Sequence, residues 1–330
     1  MITGHQKDFY IRLEAEEIRG ILNLNYPIKQ GNIIDWREME NIWEYTFTNE
    51  LRVDPSEHYI IISDSPMNTK VNKEKLALIM FEEFNIPGLF FANQVVLPLY
   101  SIGKTIGIVA DIGDVFSHIG SVFEGYSLSH SIIEMELAGR DVTDYLIRIL
   151  YEEGVHLTTT AEREIAKDIK EKTCYVALDF EDEKKYYKSI DYEMPDGNKI
   201  FIKDQRFRAP EILFQPEICG KHTDGIAQKF NESINSSDCD LRKDLYENII
   251  LSGGSTIFPG FPERFTNEIK NLAPYLYKSH VEVTANPERK LSTWIGCSIL
   301  SSILPEEYWI SRDEYNESGS SILHIYCCKI

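Results

Sequence analysis

Positive charge is scarce in this chain. Its 330 residues carry 34 Lys and Arg against 53 Asp and Glu, a formal net charge of −19. A surface so acidic cannot neutralise a phosphate backbone over a broad face, which argues against DNA or RNA as a partner and favours basic protein surfaces. Cysteine is sparse too: Cys174, Cys219, Cys239, Cys297, Cys327 and Cys328 show no Cys-x-x-Cys spacing and no dense framework. That pattern fits a reducing compartment rather than a disulfide scaffold. No apolar run reaches the length of a membrane span, and Lys7, Asp8, Arg12 and Glu14 stand where a signal peptide needs an apolar core. Low-complexity linkers are missing as well. A soluble, cytosolic protein is the expectation.

What is present is a globular composition, 43% hydrophobic and 12% aromatic, in a chain long enough for about two cores. Residues 1–19 are polar and read as a loop, and 20–27 alternates like a strand. Helical spacing of Met39, Ile42, Trp43, Thr46 and Phe47 predicts an amphipathic helix over 36–51 with its aromatics inward. Strands are expected at 59–63 and 88–92, with a helix over 73–84 between them. Asn93 can cap a helix over 94–100. A hairpin over 107–126 follows, then helices over 137–153 and 158–172. A strand at 174–180 precedes the 181–188 charge run, read as a solvated loop. Strands at 199–202 and 248–251 and helices over 223–234, 241–246 and 262–271, with 294–304 expected to close the core, complete an alternating α/β pattern.

Two stretches can carry chemistry. In Gly107-Ile-Val-Ala-Asp-Ile-Gly-Asp-Val-Phe-Ser-His118, a short apolar strand delivers Asp111 beside a Gly113-Asp114 turn. Such a tip offers turn N–H groups that can cradle a phosphate and a carboxylate that can hold hydrated Mg²⁺ or orient a water. Equally, it can be an ordinary hairpin with Asp111 as a turn residue. Ser252-Gly253-Gly254-Ser255 repeats the strand, glycine, helix order, where glycine permits close approach of a ligand. On its own it too reads as a structural turn.

A family resemblance spans almost the whole chain, in order. Tyr26-Pro27-Ile28, Trp43, Asn49-Glu50-Leu51-Arg52-Val53, Leu137-Ala138-Gly139-Arg140-Asp141 and Thr158-Thr159-Thr160-Ala161-Glu162-Arg163-Glu164 resemble actin. So do Lys170-Glu171-Lys172, Leu251-Ser252-Gly253-Gly254, Pro287-Glu288-Arg289-Lys290 and Trp294-Ile295-Gly296. The resemblance implies an α/β, two-domain ATPase fold with RNase H-like halves around a nucleotide cleft. The first domain would comprise 1–101 plus 292–330, with 1–26 a remnant of its outer subdomain, and the second 102–291, with 138–221 its outer subdomain. It further implies slow hydrolysis of Mg-ATP, mainly in filaments, and a cytoplasmic, cytoskeletal setting. Partners would be other actin subunits and actin-binding proteins such as myosin or profilin.

By the same resemblance, Asp111, Gly113 and Asp114 belong to a phosphate turn, with Asp111 also serving the Mg²⁺. Lys170, Glu171, Gly253, Gly254 and Lys290 surround the adenosine, Gly139 is a further nucleotide-binding position, Ile257 and Phe258 flank the base, and Gln94 and His118 order the attacking water. A neutral glutamine beside a histidine suits γ-phosphate hydrolysis, which needs mostly positioning and charge neutralisation. Polymer contacts would involve 1–7, 221–223 and the faces flanking a 101–103 hinge.

The chain departs from actin at several places. It opens at Gly4-His5-Gln6-Lys7-Asp8, inside the segment that resembles actin's DNase-binding loop, so the first half is expected to be incomplete and to lack the first phosphate turn. Ile112 stands for a serine, Val115 for a glycine and Gln30 for a histidine. Pro305 and Glu306 alter the segment near the partner-binding cleft. With 59–63 and 88–92 as its only strands, the first sheet would leave an unpaired edge. An interaction module or degenerate copy without ATPase activity is the alternative these departures raise.

Overall fold

The run Gly107–Ile112 has no solvent face: all six residues are buried, as a strand covered on both sides requires. It lies within a six-stranded sheet. Ile249–Ser252 pairs with it in parallel on one side and Ser117–Phe123 antiparallel on the other. Val283–Thr284 extends the sheet beyond Ile249–Ser252, while Tyr126–Ser127 and Ile133–Met135 both pair with Ser117–Phe123. The computed structural model describes residues 10–11, 24–29 and 32–323. The expected loop at 4–8, Gln30 and residues 20–23 of the expected 20–27 strand lie outside the described residues, and 24–27 form no strand.

Helices Gly139–Glu152, Thr160–Thr173, Ile226–Ser236 and Phe261–Leu272 surround this sheet and share its core, in which Phe230, Phe261, Phe265 and Tyr246 are almost fully buried. The start of Thr160–Thr173 was legible. Thr159 and Glu162 form a reciprocal cap, Thr159 N–H donating to Glu162 Oε2 at 2.7 Å and Glu162 N–H to Thr159 Oγ1 at 3.2 Å.

A second, smaller sheet runs Ile310–Ser311, Gly88–Asn93, Ile60–Asp64. The last two strands are parallel, with Ile60 opposite Leu89. Ile310–Ser311 is a strand the sequence reading did not anticipate; its pairing partner is more than 200 positions away, beyond any local signal. Among the described residues Ile60–Asp64 forms the other edge. Helix Lys70–Glu82 supplies Leu76, Ala77, Met80 and Phe81 to this core, where Phe81 stacks on Tyr315 at 4.5 Å. The two sheets meet where helix Ser292–Ile303 crosses the short helix Leu97–Tyr100. The backbones touch at Gly296, where a Cβ would lie 2.0 Å from Leu97 O, so only glycine fits.

Several expected elements differ. The 36–51 helix is α only over Trp36–Tyr45 and widens to a π-helical stretch over Thr46–Leu51. Its aromatics are half-buried apart from Phe47, which packs on Phe84. The helix expected from residue 94 begins at Leu97, because Asn93 Oδ1 caps Val95 N–H at 2.9 Å and turns the chain first. No strand forms over 174–180. Tyr175 and Val176 donate to Arg206 O and Pro259 O, which pins the chain as an isolated extended segment. The 181–188 charge run is largely helix Phe180–Tyr186: Asp179 caps Glu181 and Asp182, acids fill the first turn and Lys184 and Lys185 the last. Helix Gln205–Glu211 and strand Ile190–Glu193 were also not anticipated. Trp294, expected to close the core, is 69% exposed.

Glu211, fully buried, holds the Arg264 guanidinium at 3.0 Å, and Arg264 also binds Ala177 O and Glu268. Burial pushes the Glu211 carboxyl up from 4.5 to about 7, with Arg264 opposing the rise. The folded protein then keeps a proton that the unfolded chain has released, so this group's contribution is greatest below pH 4.5 and is lost as pH rises through 7. Between about pH 5 and about pH 8, the melting temperature of the wild type should fall relative to that of Glu211→Gln, which has no carboxyl to titrate. Parallel pH profiles for the two proteins would contradict this.

Candidate functional site

The carboxyl ends of two parallel strand pairs converge, which is where open α/β sheets place their ligands. From the larger sheet come Ser252, last residue of its strand, and Asp111, directly opposite it in register. From the smaller sheet come Ser65, just past Ile60–Asp64, and Gln94, just past Gly88–Asn93. Gln94 is fixed by its N–H donating to Asp64 O at 2.9 Å.

Across the larger sheet the register draws a row of polar side chains. Ser252 faces Asp111, Asp111 faces His118, and His118 faces Glu134. Residues in direct register point to one face of the sheet, so the row follows from pairing alone. Gln94 Nε2 donates to Asp111 Oδ2 at 2.8 Å, and the Ser252 hydroxyl is also bonded to Asp111. Ser292 Oγ donates to Ser252 Oγ at 3.1 Å. His118 Nε2 lies 2.9 Å from Glu134 Oε2 and 3.3 Å from Ser65 Oγ. Burial drives the Asp111 carboxyl pKa upward, while hydrogen bonds from Ser252 and Gln94 and the nearby His118 hold it down.

The Gly113 turn and the Gly253-Gly254 turn are side by side. Ser255 Oγ donates to Gly113 O at 2.7 Å, and Gly139 N–H donates to the same carbonyl at 3.1 Å. Gly253 has φ of 88°, and a Cβ there would lie 2.3 Å from Ile112 O, so the turn requires glycine. Lys170 is buried, donates from Nζ to Gly139 O at 2.9 Å, and has its pKa lowered by burial against the pull of Asp114 and Glu171. Glu171, Gly254 and Lys290 are exposed; Ile257 is 39% exposed, whereas Phe258 joins the larger core. Asp114 is exposed and accepts from the Arg140 guanidinium. The structure thus brings Gln94, Asp111 and His118 into one row, and Gly113, Gly139, Lys170 and Gly253 into one adjoining cluster.

Sequence reasoning missed Ser65, Ser252 as a partner of Asp111, Ser255, Glu134, and the Tyr26–Glu164 contact. The Gly113-Asp114 turn could have paired Asp111 with His118; nothing local signals the 118–134 pairing. A cleft of about 590 Å³ lies between Tyr26, Ile34 and Glu38 on one wall and Asp114, Arg140 and Arg163 on the other. Tyr26 spans it, its OH donating to Glu164 Oε1 at 2.7 Å with Arg140 over its ring. Burial, then the Glu164 carboxylate, push the Tyr26 hydroxyl up to about 12, which keeps it a donor at neutral pH. A second, smaller groove of about 240 Å³ is lined by Tyr100, Tyr126, Leu300, Ile303, Leu304 and Pro305, among others.

The architecture is that of a mixed α/β protein whose two larger sheets meet at one polar row beside paired glycine turns. The family model for Actin matches residues 2–328, and the chain belongs to the actin family. Members of that family typically bind a nucleotide and a divalent cation, assemble into filaments, and are generally cytoskeletal and cytoplasmic. Among the described residues no helix is long and apolar enough to cross a membrane.

The Tyr26 contact yields a direct test. Tyr26→Phe removes one hydrogen bond to a carboxylate at a half-exposed site, worth about 1 kcal/mol or roughly fivefold in local opening. Hydrogen exchange in the peptides around 26 and 164 should accelerate by about that factor, with the rest of the chain unchanged. Unaltered exchange would show that the contact does not hold the cleft shut.

Proposed function

We propose that this protein binds Mg-ATP between its two sheets and hydrolyses it slowly as a subunit of actin filaments. The observation that carries the reading is the row in which Gln94 and Ser252 bind Asp111 with His118 next in register. The residues present suit the group. One buried carboxylate is what a largely hydrated Mg²⁺ requires, since that ion keeps several waters and takes few protein ligands. Gly254 leaves open room, with only Lys290 Cγ, at 3.9 Å, near the place a Cβ would fill. Asp111 and the turn at Gly113 and Asp114 would hold the metal and phosphates. Gly139, Lys170, Glu171, Gly253, Gly254 and Lys290 would hold the nucleoside, with Ile257 and Phe258 on the base side.

Bound there, Mg-ATP supplies an electrophilic γ-phosphorus whose charge the metal offsets. The chain's own part is positioning. Because the Gln94 amide nitrogen is anchored on Asp111, its carbonyl oxygen is left to accept from a water. The His118 ring, 4% exposed and held by Glu134, provides a second fixed contact for that water. With a net charge of −19, basic surfaces of actin-binding proteins are the complementary partners, and the apolar groove at Tyr100, Tyr126 and Leu300 is the candidate for their apolar anchors.

A second reading is supported by Ile112, fully buried in the core, and by half-buried Val115 at the phosphate turn. Neither supplies a hydroxyl or a bare backbone there. On this reading the protein is an actin-related interaction module that retains the fold without turnover.

Thermal melting with Mg²⁺, with and without ATP, separates the two. A native-state ligand at 100 times its Kd adds about 2.7 kcal/mol, so a rise of several degrees is expected. No rise on a well-folded protein would favour the interaction module. Gln94→Ala should slow phosphate release at least tenfold while ATP still raises the melting temperature. Unchanged turnover would remove Gln94 from the water-ordering role.

A further inference from the structure

Glu134 belongs to none of the turns assigned to the nucleotide, yet it ends the polar row. It sits on the short strand Ile133–Met135, directly opposite His118, with its carboxylate 2.9 Å from His118 Nε2. The two side chains are 26% and 6% exposed, so water competes little for the contact. Among the described residues the only other polar atom within hydrogen-bond reach of that nitrogen is Ser65 Oγ at 3.3 Å, across from the smaller sheet. A carboxylate can only accept, so the proton of this contact belongs to Nε2, and Ser65 Oγ is placed to share it as a second, weaker acceptor.

We propose that Glu134 is a positioning residue for His118: it holds the imidazole in its Nε2–H form and leaves Nδ1 as the nitrogen that accepts a hydrogen bond from the water to be ordered. The tautomer of a histidine is set by the partner of its other nitrogen. Here that partner is built into the sheet, because the register that opposes 118 to 134 also opposes 118 to 111. One ring nitrogen is thereby committed to Glu134, and Nδ1, for which the described residues supply no hydrogen-bond partner, is the nitrogen left for the water. The proposal rests on the reading that His118 orders a water, and its test separates the two.

The experiment uses the full chain labelled with ¹⁵N-histidine, with His118 assigned from the spectrum of His118→Asn. Without nucleotide, the wild type should show the His118 ring nitrogens in the Nε2–H pattern. Glu134→Ala should convert this to a mixture of both tautomers, whereas Glu134→Gln, whose amide oxygen still accepts, should retain it. With Mg-ATP, phosphate release should fall about 10- to 100-fold in Glu134→Ala, the usual range for losing a group that orients a functional side chain, and recover most of that loss in Glu134→Gln. The ATP-dependent rise in melting temperature should stay the same in all three, which also reports that each variant folds. An Nδ1–H pattern in the wild type, or an unchanged pattern in Glu134→Ala, overturns the proposal. A tautomer shift without loss of turnover overturns its functional part. Unchanged turnover in His118→Asn instead overturns the water-ordering reading, while the nitrogen pattern still decides what Glu134 does.

Discussion

The site hangs on strand register. Ile249–Ser252, Gly107–Ile112, Ser117–Phe123 and Ile133–Met135 are paired so that Ser252, Asp111, His118 and Glu134 fall opposite one another. Slipping any strand by one residue would turn its polar member to the other face and bring an apolar neighbour into the row. What prevents a slip is the core: Ile108, Ala110, Ile112 and Ile119 are fully buried with Leu251 and Met135 in the same cluster. The apolar residues that stabilise the sheet therefore also aim the polar ones.

A buried carboxylate at the centre of such a sheet is costly unless it is satisfied. Asp111 is 4% exposed and accepts from Gln94 and Ser252, and Gln94 comes from the other sheet. Satisfying Asp111 thus ties the two sheets together at their carboxyl ends, beside the apolar joint where Leu97 meets Gly296. A ligand bound as proposed would touch the polar seam between the sheets, and its binding and their mutual arrangement would be coupled by the same few atoms. The Tyr26–Glu164 bond adds a second tie farther along, at the wall of the larger cleft.

Much of the fold was legible. Strand character in the 107–126 hairpin and the glycine turns act within a few residues, and each is found where sequence places it. Local rules erred where a longer-range partner or an overlooked cap decided. Residues 174–180 have strand composition but meet Arg206 and Pro259 rather than a ladder. Charges at 181–186 look like a solvated loop until Asp179 is recognised as the cap of a helix. Of the site, Gln94, Asp111 and His118 come together, but their second neighbours Ser65, Ser252 and Glu134 had no signal of their own. A serine or glutamate on a short strand is ordinary until its opposite residue is known.

The sequence by itself determined family membership, the acidic character and the residue types available for chemistry, because these depend on identity and order along the chain. It also determined the turn at Gly253, whose φ of 88° and close approach to Ile112 O leave room for glycine alone. Only the tertiary structure decided which residues face one another. Asp111 and Ser252 are 141 positions apart, and Gln94 reaches Asp111 from a different sheet. Such contacts are set by the sum of the packing on both sheets, a property of no single stretch of chain. The pairing of His118 with Glu134 is of this kind, and it gives a side chain with no local distinction a defined place beside the site.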